Sequence, residues 1–284
     1  MPIRNFHCLC FCLACCLIAC QERSKSMSFY YWQYVFTLDS AEEKTLQDNS
    51  VRLLYIRYFD VDWSPADTDL AITSQLSYQS SPAGYTIVPV ICFDNRVFEH
   101  LSPANIPVFT AYIFAHVRMI NASRRLQNRE IQFDCDWTEK TKDNYFSFLR
   151  EYRRISVQTI STAIRLYQLK YPDRTGIPPA DHGVLLYFNM VRSDTGDEKS
   201  LYERSVVHRY TPSLRSYPMT LDVALPIFPG VKNTRDEEDL MEIITDINQH
   251  SNHHIRDLIF FDLQQQNIRQ FDRNIFKEVL DHTN

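Results

Sequence analysis

Ile131-Gln132-Phe133-Asp134-Cys135-Asp136-Trp137 is the stretch on which the fold turns. Side chains on a β-strand alternate faces, so Gln132, Asp134 and Asp136 point one way and Ile131, Phe133, Cys135 and Trp137 the other. A half-buried strand turns its polar face to water. In a barrel wrapped by helices the polar face points inward instead, and two carboxylates gather near the mouth, where such folds carry out chemistry. A helical pattern follows at once, with Tyr145, Phe148, Leu149 and Tyr152 recurring along 141–154.

Further apolar, β-rich runs lie on either side, at 29–36, 52–59, 86–93, 157–166, 183–189, 220–228 and 257–263. Helical patterns fall between most of them, at 104–127 and again at 235–249, which opens on the acidic run Asp236-Glu237-Glu238-Asp239 that suits a helix N-terminus. Pro172, Pro178 and Pro179 leave room for only a short helix after 166. Eight strands alternating with helices match an α/β (β/α)8 TIM barrel in number, order and size. The competing open, doubly wound sheet calls for a glycine-rich turn after the first strand, and Phe36-Thr37-Leu38-Asp39-Ser40 is not one.

The N-terminus reads as an export signal. Arg4 precedes an apolar run from Phe6 to Ala19, and Leu17-Ile18-Ala19-Cys20 resembles a lipoprotein cleavage box in which Cys20 takes the lipid. The run is shorter than the roughly 20 residues of a membrane span. The expected organisation is a signal peptide over 1–19, a tether over 20–28 and one barrel domain over 29–284, lipid-anchored to a membrane of the bacterial cell envelope at its outer-membrane or periplasmic face. Six of the eight cysteines lie within the first 20 residues, so Cys12-Leu13-Ala14-Cys15 leaves with the signal and is no redox motif. Cys92 and Cys135, in apolar strands, are expected as buried thiols. The net charge of −5 becomes −6 once Arg4 is removed, and no basic run is present, which argues against a nucleic-acid partner.

In a barrel the C-terminal ends of the strands line the functional face. Those ends carry Arg57, Asp60 and Asp62 after strand two, Asp94 after strand three, Asp134 and Asp136 on strand four, Arg165 and Gln168 after strand five, Asn189 after strand six and Asp262 after strand eight. Tyr31, Trp32, Trp63 and Trp137 add flat apolar surfaces. Carboxylates beside aromatic platforms suit a glycan or another small polar substrate, and glycoside hydrolysis needs two carboxyl groups in different protonation states. Asp134 and Asp136, with Cα atoms about 6.6 Å apart along a strand, are the candidate catalytic pair, because like charges at close range push one pKa upward. The other reading has Arg57 and Arg165 neutralising Asp134 in a polar barrel core. Asp222, early in its strand, fits a stabilising interior role. Asp60-Val61-Asp62 with Asp94 or Asp136 offers oxygen ligands but no EF-hand spacing, and His250, His253 and His254 lack a zinc-type partner motif. No phosphate loop, G-x-S-x-G elbow or H-E-x-x-H helix occurs, so no cofactor or metal is expected.

The segments FYYWQYVF, LYIRYFDVDW, IVPVICFDNRVF, IQFDCDWTEKTKDNYFSFL, TAIRLYQLKY, TGIPPADHGVLLYFNM and LDVALPIF resemble, in order across nearly the whole mature chain, an uncharacterised lipoprotein family of Bacteroides-type bacteria. That family looks like glycoside-hydrolase-type TIM barrels, so the resemblance implies a fold and an envelope location rather than a reaction. Val191 departs from it, standing where glycine is expected. More distantly, the strand-four motif looks like the D-x-x-D-x-D-x-E of chitinase-type hydrolases. Asp134 and Asp136 match its second and third aspartates, Ile131 stands at the first, Thr138 stands at the acid glutamate, and Glu139 falls one residue late. The expected function is an envelope-anchored, glycan-acting hydrolase. The alternative is a lipoprotein that binds a glycan or a partner without turnover.

Overall fold

The computed structural model describes residues 24–64, 69–192, 198–201, 207–227, 237–251, 255–272 and 274–283. Eight parallel strands form the centre: β1 (Met27–Tyr31), β2 (Leu53–Ser64), β3 (Thr86–Phe93), β4 (Glu130–Cys135), β5 (Thr159–Ile164), β6 (His182–Leu186), β7 (Leu221–Pro226) and β8 (Ile255–Phe261). Each pairs with its neighbours in sequence, and β1 pairs with both β2 and β8, so the ring closes. The fold is the (β/α)8 barrel expected from the alternation of runs, and all eight runs fall on its strands.

The expected boundaries shift at three places. β1 starts at Met27, inside the expected tether. β2 runs on to Ser64 because Asp69–Gln75 folds back on it as an antiparallel strand, pairing Val61 with Ile72 and Trp63 with Leu70. The helix expected over 235–249 is described from Glu237 to His250. Cys20 and the 1–19 segment lie outside the described residues.

Helices α1 (Ser40–Asp48), α2 (Ile106–Arg124), α3 (Lys142–Ile155), α4 (Glu237–His250) and α5 (Ile275–Asp281) cover the ring. Asp39 starts α1 by accepting from the backbone N–H groups of Ala41 (2.7 Å) and Glu42 (2.9 Å), which satisfies two donors that would otherwise be orphaned. The apolar stripe of α3 packs on the outer face of β4, where Phe133 meets the rings of Phe148 at 5.0 Å and Tyr152 at 4.8 Å. Gly183 on β6 is required by close packing: a Cβ there would lie 2.7 Å from Ile164 and 2.8 Å from Leu221.

Inside the ring a smaller apolar cluster holds Tyr30, Tyr55, Val88, Val90, Ala163, Val184, Leu186, Phe188, Ala224, Ile259 and Phe261. Below it, at the N-terminal end, lies a buried polar set. Arg256 grips Asp222 through Nε and Nη2 at 2.8 and 2.7 Å. The His182 imidazole sits 3.2 Å from Glu130 and 3.3 Å from Asp222. Ser161 donates to Glu130 at 2.7 Å. Burial works against a charge on His182, but the two carboxylates outweigh it and raise its pKa to about 9. Arg256 Nη2 also lies 2.8 Å from His182 Nε2, a contact a protonated ring cannot accept; two carboxylates against one guanidinium still favour the charged imidazole. Asp222 is thus the interior stabiliser its early position suggests.

Candidate functional site at the barrel mouth

β4 delivers its polar side chains inward, as alternation requires. Gln132 accepts from the Tyr30 hydroxyl at 2.8 Å across the barrel, and Asp134 accepts from Arg165 Nη2 of the next strand at 2.8 Å. Asp134 is buried, with 7% exposure. Asp136, one layer higher, leaves 60% of its side chain open to solvent at the mouth, 4.0 Å from Arg165 Nε. The Tyr167 hydroxyl lies 2.7 Å from Asp136 and 2.6 Å from the carbonyl of Trp137, with one proton for the two acceptors. Burial, then the Asp136 carboxylate, push that phenol above its ordinary range. For Arg165, burial opposes the charge while Asp134 and Asp136 more than restore it.

Arg57 does not reach Asp134. A β-bulge between Arg57 and Phe59 shifts the register of β2 against β3, which puts Asp60 on the same inner face as Arg57. The two form a bidentate pair at 2.8 and 2.5 Å, and the guanidinium lies 4.8 Å from the ring centroids of both Trp32 and Tyr34. Asp94 is held by Arg96 through Nε (2.8 Å), Nη2 and the backbone N–H (2.9 Å). Asp62 accepts from Thr73 of the folded-back strand at 2.5 Å. Arginines thus engage Asp60 and Asp94. Among the described residues no three metal-ligating side chains converge.

Opposite the acidic β4–β5 side stands an aromatic wall. Trp32 packs on Phe261 at 5.1 Å, and Phe261 meets Tyr30 at 5.3 Å and Phe188 at 5.1 Å. At the rim Trp63 stacks on His100 at 4.3 Å. Trp32 Nε1, Arg165 Nη1 and Gln132 Nε2 are buried donors with no acceptor among the described residues.

Four expected contributors sit elsewhere. Trp137 is wholly buried on the outer face of the barrel, stacked on Tyr145 at 5.2 Å and donating to the Thr175 carbonyl at 2.9 Å. Gln168 is also buried. It accepts from the Arg165 N–H at 2.7 Å and donates to the Trp137 carbonyl at 3.0 Å, which fixes the turn after β5. Asp262, just past the end of β8, is turned to the helix side, where Gln264 (2.7 Å) and Asn267 donate to it and burial raises its carboxyl to about 6. Tyr31 likewise points outward, its hydroxyl 2.6 Å from the Val35 carbonyl. Asn189 and Val191 lie on a short strand, Asn189–Arg192, and their side chains fall outside the described residues. His253 and His254 also fall outside them.

At the position of the chitinase-type acid glutamate, the Thr138 N–H donates to Thr141 Oγ1 at 2.9 Å. Glu139 lies on the exterior, 3.4 Å from Arg174. Sequence reasoning passed over Tyr167, Tyr34 and the Glu130–His182 contact. Glu130 was within reach, because it shares the parity of Gln132, Asp134 and Asp136.

No family model matches this chain, and no curated protein matches it. Solved structures do. The spore cortex-lytic enzyme SleL of Bacillus cereus aligns over 92% of this chain and 74% of its own, with a TM-score of 0.56 and 10% identity. A family 18 chitinase mutant from Cycas revoluta, solved with (GlcNAc)4, aligns over 91% and 99% with a TM-score of 0.55 and 11% identity. A xylanase–α-amylase inhibitor protein, complexed with trehalose, aligns over 91% and 97% with a TM-score of 0.53 and 9% identity. At these identities the likeness establishes the TIM-barrel fold and assigns no residue a role.

Proposed function

We propose that this protein is a lipid-anchored envelope protein that acts on glycans at the C-terminal mouth of its barrel. One observation carries the proposal: one solvent-open carboxylate, Asp136, on the acidic wall faces the half-buried ring of Trp32, which is backed by Phe261. Sugars stack their C–H faces on rings and hydrogen-bond through hydroxyls, which the open carboxylate of Asp136 can accept. Asp134, clamped by Arg165, is the fixed charge beneath the ligand, and Asp136 is the group that meets it. In hydrolysis one carboxyl group protonates the glycosidic oxygen as its bond to the anomeric carbon breaks and another serves the water, the rim supplying Asp136, Asp62 and Asp94 for these two roles. The anchor is the thioether-linked lipid proposed at Cys20.

A second reading, binding without turnover, is favoured by Thr138 at the acid position and by Glu139 turned to the exterior. Assaying wild type and Asp136→Asn against a broad glycan panel, with binding and turnover measured separately, decides between the two. Turnover abolished in Asp136→Asn while weakened but measurable binding remains supports the hydrolase. Binding without turnover in both proteins supports the binding module. No binding of any glycan by wild type overturns both.

A further inference from the structure

The two ends of the barrel differ in charge. Carboxylates crowd the mouth, while the N-terminal face, where the strands begin, is rich in arginine. Arg52 immediately precedes β2, Arg129 immediately precedes β4, and Arg125 follows the last residue of α2; all three are exposed. Arg125 and Arg129 line one cleft of about 550 Å³ with Tyr85, Thr86, Gln127 and Asn128. The Arg52 carbonyl accepts from the Thr86 N–H at 2.7 Å, which places Arg52 at the edge of the same cleft. Among the described residues none of the three has a carboxylate within ion-pairing distance.

Helix electrostatics does not account for them all. Arg124, Arg153 and Arg154 occupy last helical turns, where a cation complements the carbonyl end of the dipole. Arg52 and Arg129 stand before strands and have no such reason to be basic. Most carboxylates on this face are already engaged: Asp181 by Arg153 at 2.8 Å, Glu151 by Arg154 at 2.7 Å and Asp48 by Lys44 at 3.2 Å. Glu130 turns inward to His182. Asp281, at the end of α5, and Glu43, close enough to act on Tyr85, are exposed exceptions. Val157 stands fully exposed on the same face, an apolar tip close in sequence to Arg153 and Arg154.

The chain also enters the fold here. β1 begins at Met27, and the seven residues from Cys20 to Met27 span at most about 25 Å when fully extended. A membrane that holds Cys20 therefore lies within reach of this face, opposite the mouth. Among the described residues no helix is long and apolar enough to cross a membrane, so contact on this side is with the surface.

We infer that the N-terminal face of the barrel docks on an anionic lipid surface through Arg52, Arg125 and Arg129, which turns the mouth away from the membrane. Each arginine near a negatively charged bilayer strengthens binding about fivefold, and the gain decays within a Debye length. The geometry of docking rests on the proposed anchor; the charge preference does not.

The test uses the full chain carrying Cys20→Ser, which cannot be acylated, sedimented with vesicles of phosphatidylcholine alone or mixed with phosphatidylglycerol. The expected result is a preference for the anionic vesicles that disappears at high salt. The triple variant Arg52→Gln, Arg125→Gln, Arg129→Gln is expected to lose about a hundredfold of that preference while keeping its melting temperature and its glycan binding. Equal binding to both vesicles, or an undiminished preference in the triple variant, overturns the inference. Loss of glycan binding in Asp136→Asn bears on the mouth alone, and release of the acylatable chain from cell membranes by Cys20→Ser bears on the anchor alone.

Discussion

The barrel holds two sets of charged side chains, one at each end of its interior, built from the same chemistry. At the N-terminal end Glu130, His182, Asp222 and Arg256 close on one another, and Asp222 has no exposed surface. At the mouth Asp134 and Arg165 make a similar pair, but Asp136 and Tyr167 above them remain open to solvent. A carboxylate beside a guanidinium therefore does not mark a site. Solvent access does: a closed set satisfies itself, while an open one has capacity left for a ligand.

The contrast breaks most sharply if outer-face and closed-end residues prove dispensable. Trp137→Ala should cost about 3–5 kcal/mol by removing a large ring from the layer between barrel and helices, read by chemical denaturation. An effect on glycan binding without loss of stability would put Trp137 back in the site. Arg256→Met leaves Asp222 buried without its bidentate partner and should destabilise by about 3–5 kcal/mol. Little change in the denaturation midpoint would show that water reaches this end.

A gentler test uses pH. His182 has a folded pKa of about 9, above the ordinary value of about 6.5. Its stabilisation is therefore fully present below about pH 6.5 and is lost as pH rises toward about 9, amounting to at most about 3 kcal/mol. Melting temperature should fall across that window in wild type and much less in His182→Gln. A flat wild-type profile would contradict the closed network. Asp136→Asn, by contrast, should change stability by less than about 0.5 kcal/mol, as expected of an exposed side chain.

Much of this was legible in the chain. Long β-branched and aromatic runs marked all eight barrel strands, because burial on both faces demands them, and the parity of Gln132, Asp134 and Asp136 placed three polar groups inside the ring. The same parity sets Trp137 among Ile131, Phe133 and Cys135 on the outer face, so its burial follows from a rule already in use. The bulge in β2 was not legible. One extra residue reverses the alternation, and nothing local in Arg57-Tyr58-Phe59-Asp60 announces it, so the pairing of Arg57 with Asp60 cannot be read from the chain. Gln168 and Tyr167 sit on the turn after β5, where strand parity no longer applies and helix phase is not yet set.

The most direct measurement is the affinity of a bound oligosaccharide for Asp136→Asn relative to wild type, taken where both proteins melt at the same temperature. Loss of a hydrogen bond to a charged group predicts an affinity about ten- to a hundredfold weaker. An unchanged affinity would mean that the sugar does not sit against strand four, and the mouth would no longer be the site.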